Sequence, residues 1–406
     1  MNIVEINSVY YGSTGNIAIQ IADLVNQQND SAYVCTSGGR NSKKQAKNTS
    51  KQLLIGGFVS EKIHLVLGRI TGYNNCFSYF ATKAFLSKLK KLNPDVIHLH
   101  NLHNCYINLP LLFKFIKKNN IRVVWTLHDC WAFTGHCPYF EFADCYKWKT
   151  TCAQCSQYKK YPISVFDNSK KMYRLKQKWF LGIKDLTIVT PSKWLADYVK
   201  QSFLKKYPVK VINNGIDLSV FQPTQSDFRE KYNCQNKTIL LGVASSWEKR
   251  KGLEDFIKLR EKLDDNFQIV LVGTSKKIDE FLPKNIISIH RTYNQEELAK
   301  IYSAADLFIN PTLEDNFPTV NIEALACGTP VITYNTGGSA EMLDNASGTT
   351  VEKGNFSELY DSIMLYSKSN SFSSVACVKR AQDFDKNKKF KEYIDLFKEK
   401  TGELIL

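Results

Sequence analysis

Short apolar runs and amphipathic stretches alternate along the whole chain. In the first half, Ile3–Ser8, Val96–His100, Arg122–Leu127, Leu186–Thr190 and Val209–Ile212 have the length and composition of strands. Asn16–Gln27, with Ile17, Ile21 and Leu24 on one face, has helical spacing, as do Leu109–Lys118 and the basic stretch Ala84–Leu92. The second half repeats the pattern. Thr238–Ala244, Gln268–Gly273, Ile286–Ile289, Leu307–Asn310 and Thr329–Thr333 read as strands, with helices near Leu253–Leu263 and Gln295–Ser303. Strands that are apolar throughout, separated by helices, predict parallel sheets covered on both faces. The polar stretch Asn213–Asn236, with Gly215, Pro223 and Asp227, separates the two series. The expectation is an α/β chain of two doubly wound domains, 1–218 and 219–387. Residues 388–406, with Phe390, Tyr393, Ile394, Leu396 and Phe397, would form a helix returning to the first domain.

Such sheets bind ligands at the carboxyl ends of their strands. Here those positions are Gly12–Asn16, His128-Asp129, Ser245–Lys251, Gly273-Thr274 and Asp315–Glu323. Two sheets facing each other would bring all five loops to one cleft.

Composition narrows the classes. A chain of 406 residues with 43% hydrophobic residues can bury two cores. No apolar run approaches the ~18–20 residues that span a bilayer. The start reads as a first strand and not as a signal peptide, so the cytoplasm is the expected compartment. Residues 1–200 carry 27 Lys and Arg against 11 Asp and Glu, a net +16, while residues 201–406 carry 27 against 28, a net −1. The basic half attracts anions: phosphorylated substrates, anionic lipid headgroups or nucleic acid. Of eleven cysteines, five lie between Cys130 and Cys155, and an odd total argues against a disulfide framework.

The most specific segment is Pro311–Val331. Asp315 and Glu323 stand eight positions apart, across a loop and the first turns of a helix, followed by Ala326-Cys327-Gly328-Thr329-Pro330-Val331. A carboxylate accepts two hydrogen bonds from a vicinal diol, and a helix N-terminus favours a diphosphate. The segment resembles the donor-binding signature of retaining glycosyltransferases of family 4, which have the GT-B fold: two Rossmann-like domains facing across a cleft. The resemblance implies that Asp315 touches sugar hydroxyls and Glu323 grips the nucleotide ribose. The family's first acidic residue is usually Glu, so Asp315 departs from it, and neighbouring Glu314 offers another register. Pro318 stands where Gly is common and has no N–H to give. Phosphate and sugar would then be held around Asn316 by the amides of Phe317 and Thr319.

Other segments resemble the same family. In Ser245–Leu253, Lys251 matches a diphosphate-clamping Lys, while Ser246 stands at the usual Arg position, leaving Arg250 as the second cation. Gly12, Gly15 and Asn16 match a Gly-rich loop after the first strand, where backbone N–H groups approach an anion, and Gly273 ends another strand. His128 matches a cleft histidine that orients the sugar and supports charge at the anomeric carbon. His98, His100 and His103 are weaker candidates for acceptor contacts. Cys137, Cys145, Cys152 and Cys155, within an insertion spanning 130–158, have a spacing compatible with a structural zinc. Free thiols and disulfides are the alternatives. Similar insertions occur in the exopolysaccharide and colanic-acid-type branch of the family. Ser169–Phe180, with Lys170, Lys171, Arg174, Lys176 and Lys178 among aromatics, reads either as a membrane-surface helix or as a surface helix packing its aromatics inward.

The resemblance implies a retaining hexosyltransferase of surface polysaccharide assembly. Its donor is a UDP- or GDP-sugar and its acceptor a lipid-linked glycan. His128, Asp315 and Lys251 would be catalytic, with no catalytic cofactor. The basic N-terminal domain would meet the inner membrane face as a peripheral protein, with no nucleic-acid partner. A GT-B nucleotide-sugar epimerase and a zinc-bearing nucleic-acid-binding protein are the competing readings.

Overall fold

The computed structural model describes residues 1–41, 51–369 and 371–399. Thirteen strands among the described residues form two sheets, every pairing parallel. The first sheet contains β1 (Asn2–Ile6), β2 (Ser31–Ser37), β3 (Lys51–Ile55), β4 (Val96–Leu99), β5 (Arg122–Thr126), β6 (Leu186–Thr190) and β7 (Val209–Val211). Its order is β3-β2-β1-β4-β5-β6-β7. The second contains β8 (Thr238–Val243), β9 (Phe267–Val272), β10 (Ile287–Ile289), β11 (Leu307–Asn310), β12 (Val331–Tyr334) and β13 (Gly348–Val351), in the order β10-β9-β8-β11-β12-β13. Both orders reverse direction between the first and fourth strands of their sheet, as in Rossmann-like domains. The chain divides into Met1–Ile212 with the residues from Phe390 onward, and Asn213–Lys389. The expected segment 388–406 lies outside the described residues from 400 on.

Three strands, β2, β3 and β13, escape the apolar-run reading. Ser-Ala-Tyr-Val-Cys-Thr-Ser and Lys-Gln-Leu-Leu-Ile mix polar with apolar positions, and Gly-Thr-Thr-Val has one large apolar residue. β3 and β13 are sheet edges, where one flank carries no neighbour and continuous burial is not required. The first helix starts at Gly12, not Asn16, and ends at Gln27. Its glycine-rich first turn reads as a loop because Gly has low helix propensity.

Alternation along the strands builds a core on each face of each sheet. In the first sheet Val4, Ile6, Ile97, Leu99, Val123 and Trp125 face one core. Ile3, Val96 and Val124 face the other, together with Ile17 and Ile21 of the first helix. The helix Lys386–Lys398 contributes Phe390, Tyr393, Ile394, Leu396 and Phe397 to this second core. In the second sheet Leu241, Val270, Phe308 and Val331 face one side and Leu240, Ile269, Leu307 and Ile332 the other.

One glycine closes the end of the second sheet. Gly273 follows β9 with φ +87°, and a Cβ there would lie 1.6 Å from the Ala244 carbonyl oxygen. Its own N–H donates to the Ile289 carbonyl at 2.8 Å. Gly273→Ala should therefore cost about 1–3 kcal/mol, from strain in the left-handed region and the clash combined. Denaturant unfolding checks this; a midpoint equal to that of the native protein would contradict the placement.

Candidate functional site

In the second unit the loops after the neighbouring strands β8 and β11 carry the charged residues singled out above. The turn Lys249–Lys251 follows β8, and the helix Thr319–Ala326 follows β11. Two backbone-directed bonds tie the loops together. The Leu313 N–H donates to the Arg250 carbonyl at 2.8 Å, and the Arg250 guanidinium donates to the Glu314 carbonyl. Lys251 Nζ then lies 2.5 Å from Asp315 Oδ2, with the two side chains 20% and 19% exposed. Both groups are largely shielded from water, so an anion entering here would compete with the Asp315 carboxylate for the ammonium.

Glu323 sits on the helix Thr319–Ala326 and is half-buried. Tyr302 Oη donates to its Oε2 at 3.1 Å. Burial pushes its carboxyl up from 4.5 to about 7, against the lowering effect of Tyr302 and Thr319. Asn316 and Phe317 are buried, Phe317 beside Phe384 with ring centroids 5.9 Å apart, so the Phe317 side chain serves the core. Pro318 is the residue preceding the helix. Ser246 is exposed, next to Trp247, which is pinned by its Nε1 donating to the Val272 carbonyl at 3.0 Å.

The loop after β12 was not read from the sequence. Gly337 has φ +55°, and a Cβ there would lie 1.5 Å from the Asp315 carbonyl oxygen, while the Gly338 N–H donates to the Asn316 carbonyl at 2.9 Å. The visible signal was Gly337-Gly338 a few residues beyond a fully buried strand.

In the first unit the loops after β1 and β4 are bound to each other. Asn7 Oδ1 accepts from the Asn101 N–H at 3.2 Å, and Asn104 Nδ2 donates to Ser8 Oγ at 3.1 Å. Gly12 and Gly15 form the first turn of the helix Gly12–Gln27, and Asn16 is exposed on it. His128 follows β5 and is half-buried. Its Nε2 lies 3.0 Å from His100 Nδ1, with the rings stacked at 5.3 Å. His100 Nε2 lies 2.7 Å from Glu5 Oε2, and His98 Nδ1 approaches the same oxygen at 2.7 Å. His98 Nε2 in turn lies 2.8 Å from Thr126 Oγ1. Burial holds His98 and His100 down at about 3 and His128 at about 4, and it raises Glu5. Next to His128, Asp129 Oδ2 lies 2.9 Å from His103 Nε2, and its Oδ1 accepts from the Trp131 N–H at 2.9 Å. Burial opposes ionisation of Asp129, but these partners outweigh it and hold its carboxyl below the ordinary value. His98, His100 and His103 are thus tied to buried side-chain partners.

Cys137, Cys145, Cys152 and Cys155 are neighbours in the insertion, Cys137 feeling Cys152 and Cys155, and Cys152 feeling Cys145 and Cys155. Among the described residues, the group of three or more potential ligands whose atoms lie within 4.8 Å of one another is Glu5, His98 and His100. Cys137 and Cys155 form a thiol pair whose hydrogen bond raises the one and lowers the other to about 7. Cys152 Sγ instead accepts from the Gly135 N–H at 3.1 Å.

The helix Ser169–Phe180 also departs from its membrane-surface reading. Met172, Tyr173, Trp179 and Phe180 are buried, and so is Lys176. Lys176 Nζ donates to the carbonyls of Trp131 at 2.6 Å and Thr134 at 3.0 Å, which anchors the chain just past Asp129. An apolar surface lies elsewhere in the unit. On the helix Phe58–Thr71, Phe58, Val59, Ile63, Val66 and Ile70 are at least half exposed. Exposed Ile163, Val165 and Phe166 adjoin its end, where the Val165 N–H donates to the Arg69 carbonyl at 2.8 Å. Among the described residues no helix is long and apolar enough to cross a membrane.

Two Rossmann-like units with polar loops at both switch points define an α/β fold of the GT-B type. Residues 17–220 match the family description "Glycosyltransferase Family 4", and residues 224–390 match "Glycosyl transferases group 1". The chain belongs to glycosyltransferase family 4. It is 24% identical over 364 residues to the "Putative colanic acid biosynthesis glycosyl transferase WcaC" of Escherichia coli K12, covering 87% of this chain and 88% of that one. It is 26% identical over 219 residues to an N,N'-diacetylbacillosaminyl-diphospho-undecaprenol alpha-1,3-N-acetylgalactosaminyltransferase of Campylobacter jejuni, covering 50% of this chain and 57% of that one. Anabaena Alr3699/HepE, solved in complex with UDP, superposes with a TM-score of 0.69 at 15% identity, covering 98% and 99% of the two chains. The likeness to that structure is one of fold.

Glu323 gives a prediction with a definite sign. The carboxyl ionises at an ordinary 4.5 when unfolded and at about 7 when folded. The native state then binds the extra proton between these values, so this group's contribution to stability falls as pH rises from 4.5 to about 7. Glu323→Gln should melt above the native protein at pH 8, and the two should converge at pH 4. Parallel melting curves across that range would contradict the assigned burial.

Proposed function

We propose that this glycosyltransferase moves a hexose from a UDP- or GDP-sugar to a hydroxyl of a lipid-linked glycan, with retention, in surface polysaccharide assembly. The observation that carries the reading is the Lys251–Asp315 pair at the ends of adjacent strands, with Glu323 on the following helix. In this reading Glu323 accepts hydrogen bonds from the ribose diol, which favours its ionised form. Lys251 and Arg250 neutralise the charge that collects on the departing nucleoside diphosphate. Asp315, released from Lys251 when the diphosphate arrives, accepts from sugar hydroxyls. In the first unit, His128 is assigned to the sugar by its match to the family's histidine. The bond from the anomeric carbon to the diphosphate oxygen breaks, and the acceptor oxygen bonds to that carbon on the same face. The acceptor proton passes to the leaving phosphate. No protein nucleophile and no metal are assigned a step.

The relatives' names support the pathway class: one is described for colanic acid biosynthesis, and another's name carries a diphospho-undecaprenol-linked substrate. A lipid-linked acceptor needs a protein that reaches a bilayer. The apolar face of Phe58–Thr71, in a half of the chain with net +16, suits an anionic membrane surface, so we assign peripheral attachment at the inner face to it.

Two measurements test these assignments. Thermal-shift titration with UDP- and GDP-sugars should find a donor that stabilises by about 2.7 kcal/mol at ~100 times its dissociation constant. With that donor, Lys251→Ala should lower turnover by about 100-fold or more; near-native rates would reject the leaving-group role. Separately, the native chain should sediment with phosphatidylglycerol-containing vesicles and not with phosphatidylcholine alone. The variant Phe58→Ser, Ile63→Ser, Val66→Ser should lose that binding without losing its fold. Equal sedimentation of variant and native chain would remove this helix from the membrane contact.

A further inference from the structure

The chain that follows Asp129 returns one side chain to the strand ends that nothing in the proposed transfer uses. Tyr161 is about half exposed, and its Oη lies 2.7 Å from His103 Nδ1, past the end of β4. His103 Nε2 lies 2.9 Å from Asp129 Oδ2, past the end of β5. The Tyr161 hydroxyl also meets the side chain of Asn104. The His103 ring is set by Trp131 as well, with centroids 5.5 Å apart. Lys176 Nζ lies 3.4 Å from the Trp131 ring centroid and donates to the Trp131 carbonyl. Groups from the loops after two neighbouring strands thus fix a side chain that solvent alone would leave to choose among rotamers.

Beyond Tyr161 the segment changes character. Ile163, Val165 and Phe166 are each more than half exposed, and Ser164 among them is buried. The Ser164 N–H donates to the Tyr158 carbonyl at 2.9 Å, and its Oγ donates to the Phe166 carbonyl at 2.7 Å. The Val165 N–H donates to the Arg69 carbonyl at 2.8 Å, and Asn168 Nδ2 donates to the Thr71 carbonyl. The exposed apolar residues are therefore fastened beside the end of the helix Phe58–Thr71, whose own apolar face is exposed. Lys62 and Arg69 on that helix, and Lys159, Lys160, Lys170 and Lys171 around the segment, are exposed cations. Asp167, the acid within it, is engaged by the N–H groups of Cys155 at 2.7 Å and Ser169 at 2.9 Å.

Tyr161 stands where a polar cluster at the strand ends meets an apolar strip rimmed by cations. A lipid-linked glycan has one junction of that kind: an apolar chain, an anionic linkage, then a sugar. An aromatic ring with a polar tip suits such a boundary, and its negative face packs against the C–H face of a pyranose. We propose that Tyr161 is an acceptor-binding residue that packs on the sugar nearest the lipid, while Ile163, Val165 and Phe166 cover the start of the lipid chain. His103 and Asp129 are positioning residues that act through Tyr161. The assignment rests on the lipid-linked acceptor proposed above and names the side chains that select it.

The test uses full-length protein sedimented with phosphatidylcholine vesicles. These carry, in turn, phosphatidylglycerol, undecaprenyl diphosphate, or undecaprenyl diphosphate bearing one glucose, galactose, N-acetylglucosamine or N-acetylgalactosamine, at equal surface charge. At least one sugar-bearing lipid should bind more tightly than undecaprenyl diphosphate itself. Tyr161→Ser should lose that gain, about tenfold in affinity, while Tyr161→Phe, which keeps the ring, should retain most of it. Ile163→Ser combined with Phe166→Ser should weaken binding to every undecaprenyl lipid. Equal binding of bare and sugar-bearing lipids by the native chain would overturn the proposal, as would a gain that survives Tyr161→Ser. Undecaprenyl lipids that bind no better than phosphatidylglycerol would also overturn it and make the strip a general membrane face. Should Tyr161→Ser fail to fold, Tyr161→Leu, which removes the ring and keeps apolar bulk, takes its place with the same expectation. A failed donor titration beside sugar-dependent vesicle binding would count against the transferase reading and leave this site standing.

Discussion

Strands covered on both faces leave no room for chemistry along their length. Their backbone groups are consumed by the ladder, and their side chains are committed to apolar cores on either side. Polar work is pushed to the loops at the carboxyl ends, where the chain leaves the sheet and backbone and side chains regain freedom. Both sheets follow that constraint, apart from the buried Glu5–His98 contact inside β1 and β4. Lys251, Asp315 and the helix bearing Glu323 follow neighbouring strands of one, and His128 with Asp129 follows a central strand of the other.

Close approach makes the second unit's loops usable. Gly273 and Gly337 let neighbouring loops touch backbone to backbone, at Ala244 and at Asp315. The result is a cation held beside a carboxylate in a pair largely shielded from solvent. In the proposed transfer, an arriving diphosphate would take over the ammonium and leave the carboxylate to hydroxyl donors. Glu323 differs, because burial raises its carboxyl to about 7 while Tyr302 and Thr319 hold it down.

Much of this was legible in the sequence, and the misses have physical causes. The central strands announced themselves by continuous apolar runs, and the Asp315–Glu323 spacing marked the helix after β11. Edge strands β3 and β13 did not, because a single neighbour demands less burial. Glu5 was passed over as an ordinary strand residue. The signal was a charge inside Ile3-Val4-Glu5-Ile6, with His98 and His100 two positions apart on another buried strand, which places all three on one face. Lys176 looked like a solvated helix position because its partners, the Trp131 and Thr134 carbonyls, carry no sequence label. The exposed face of Phe58–Thr71 was hidden for the opposite reason: apolar residues at helical spacing look like core until the neighbours are known.

The account stands on the loops after β8 and β11 forming the diphosphate site. Hydrogen exchange of the full chain, followed by mass spectrometry with UDP- and GDP-sugars in turn, measures this most directly. The account predicts that the bound donor slows exchange in peptides covering 245–252 and 311–323. Donor binding that leaves both segments unchanged and protects others would contradict it.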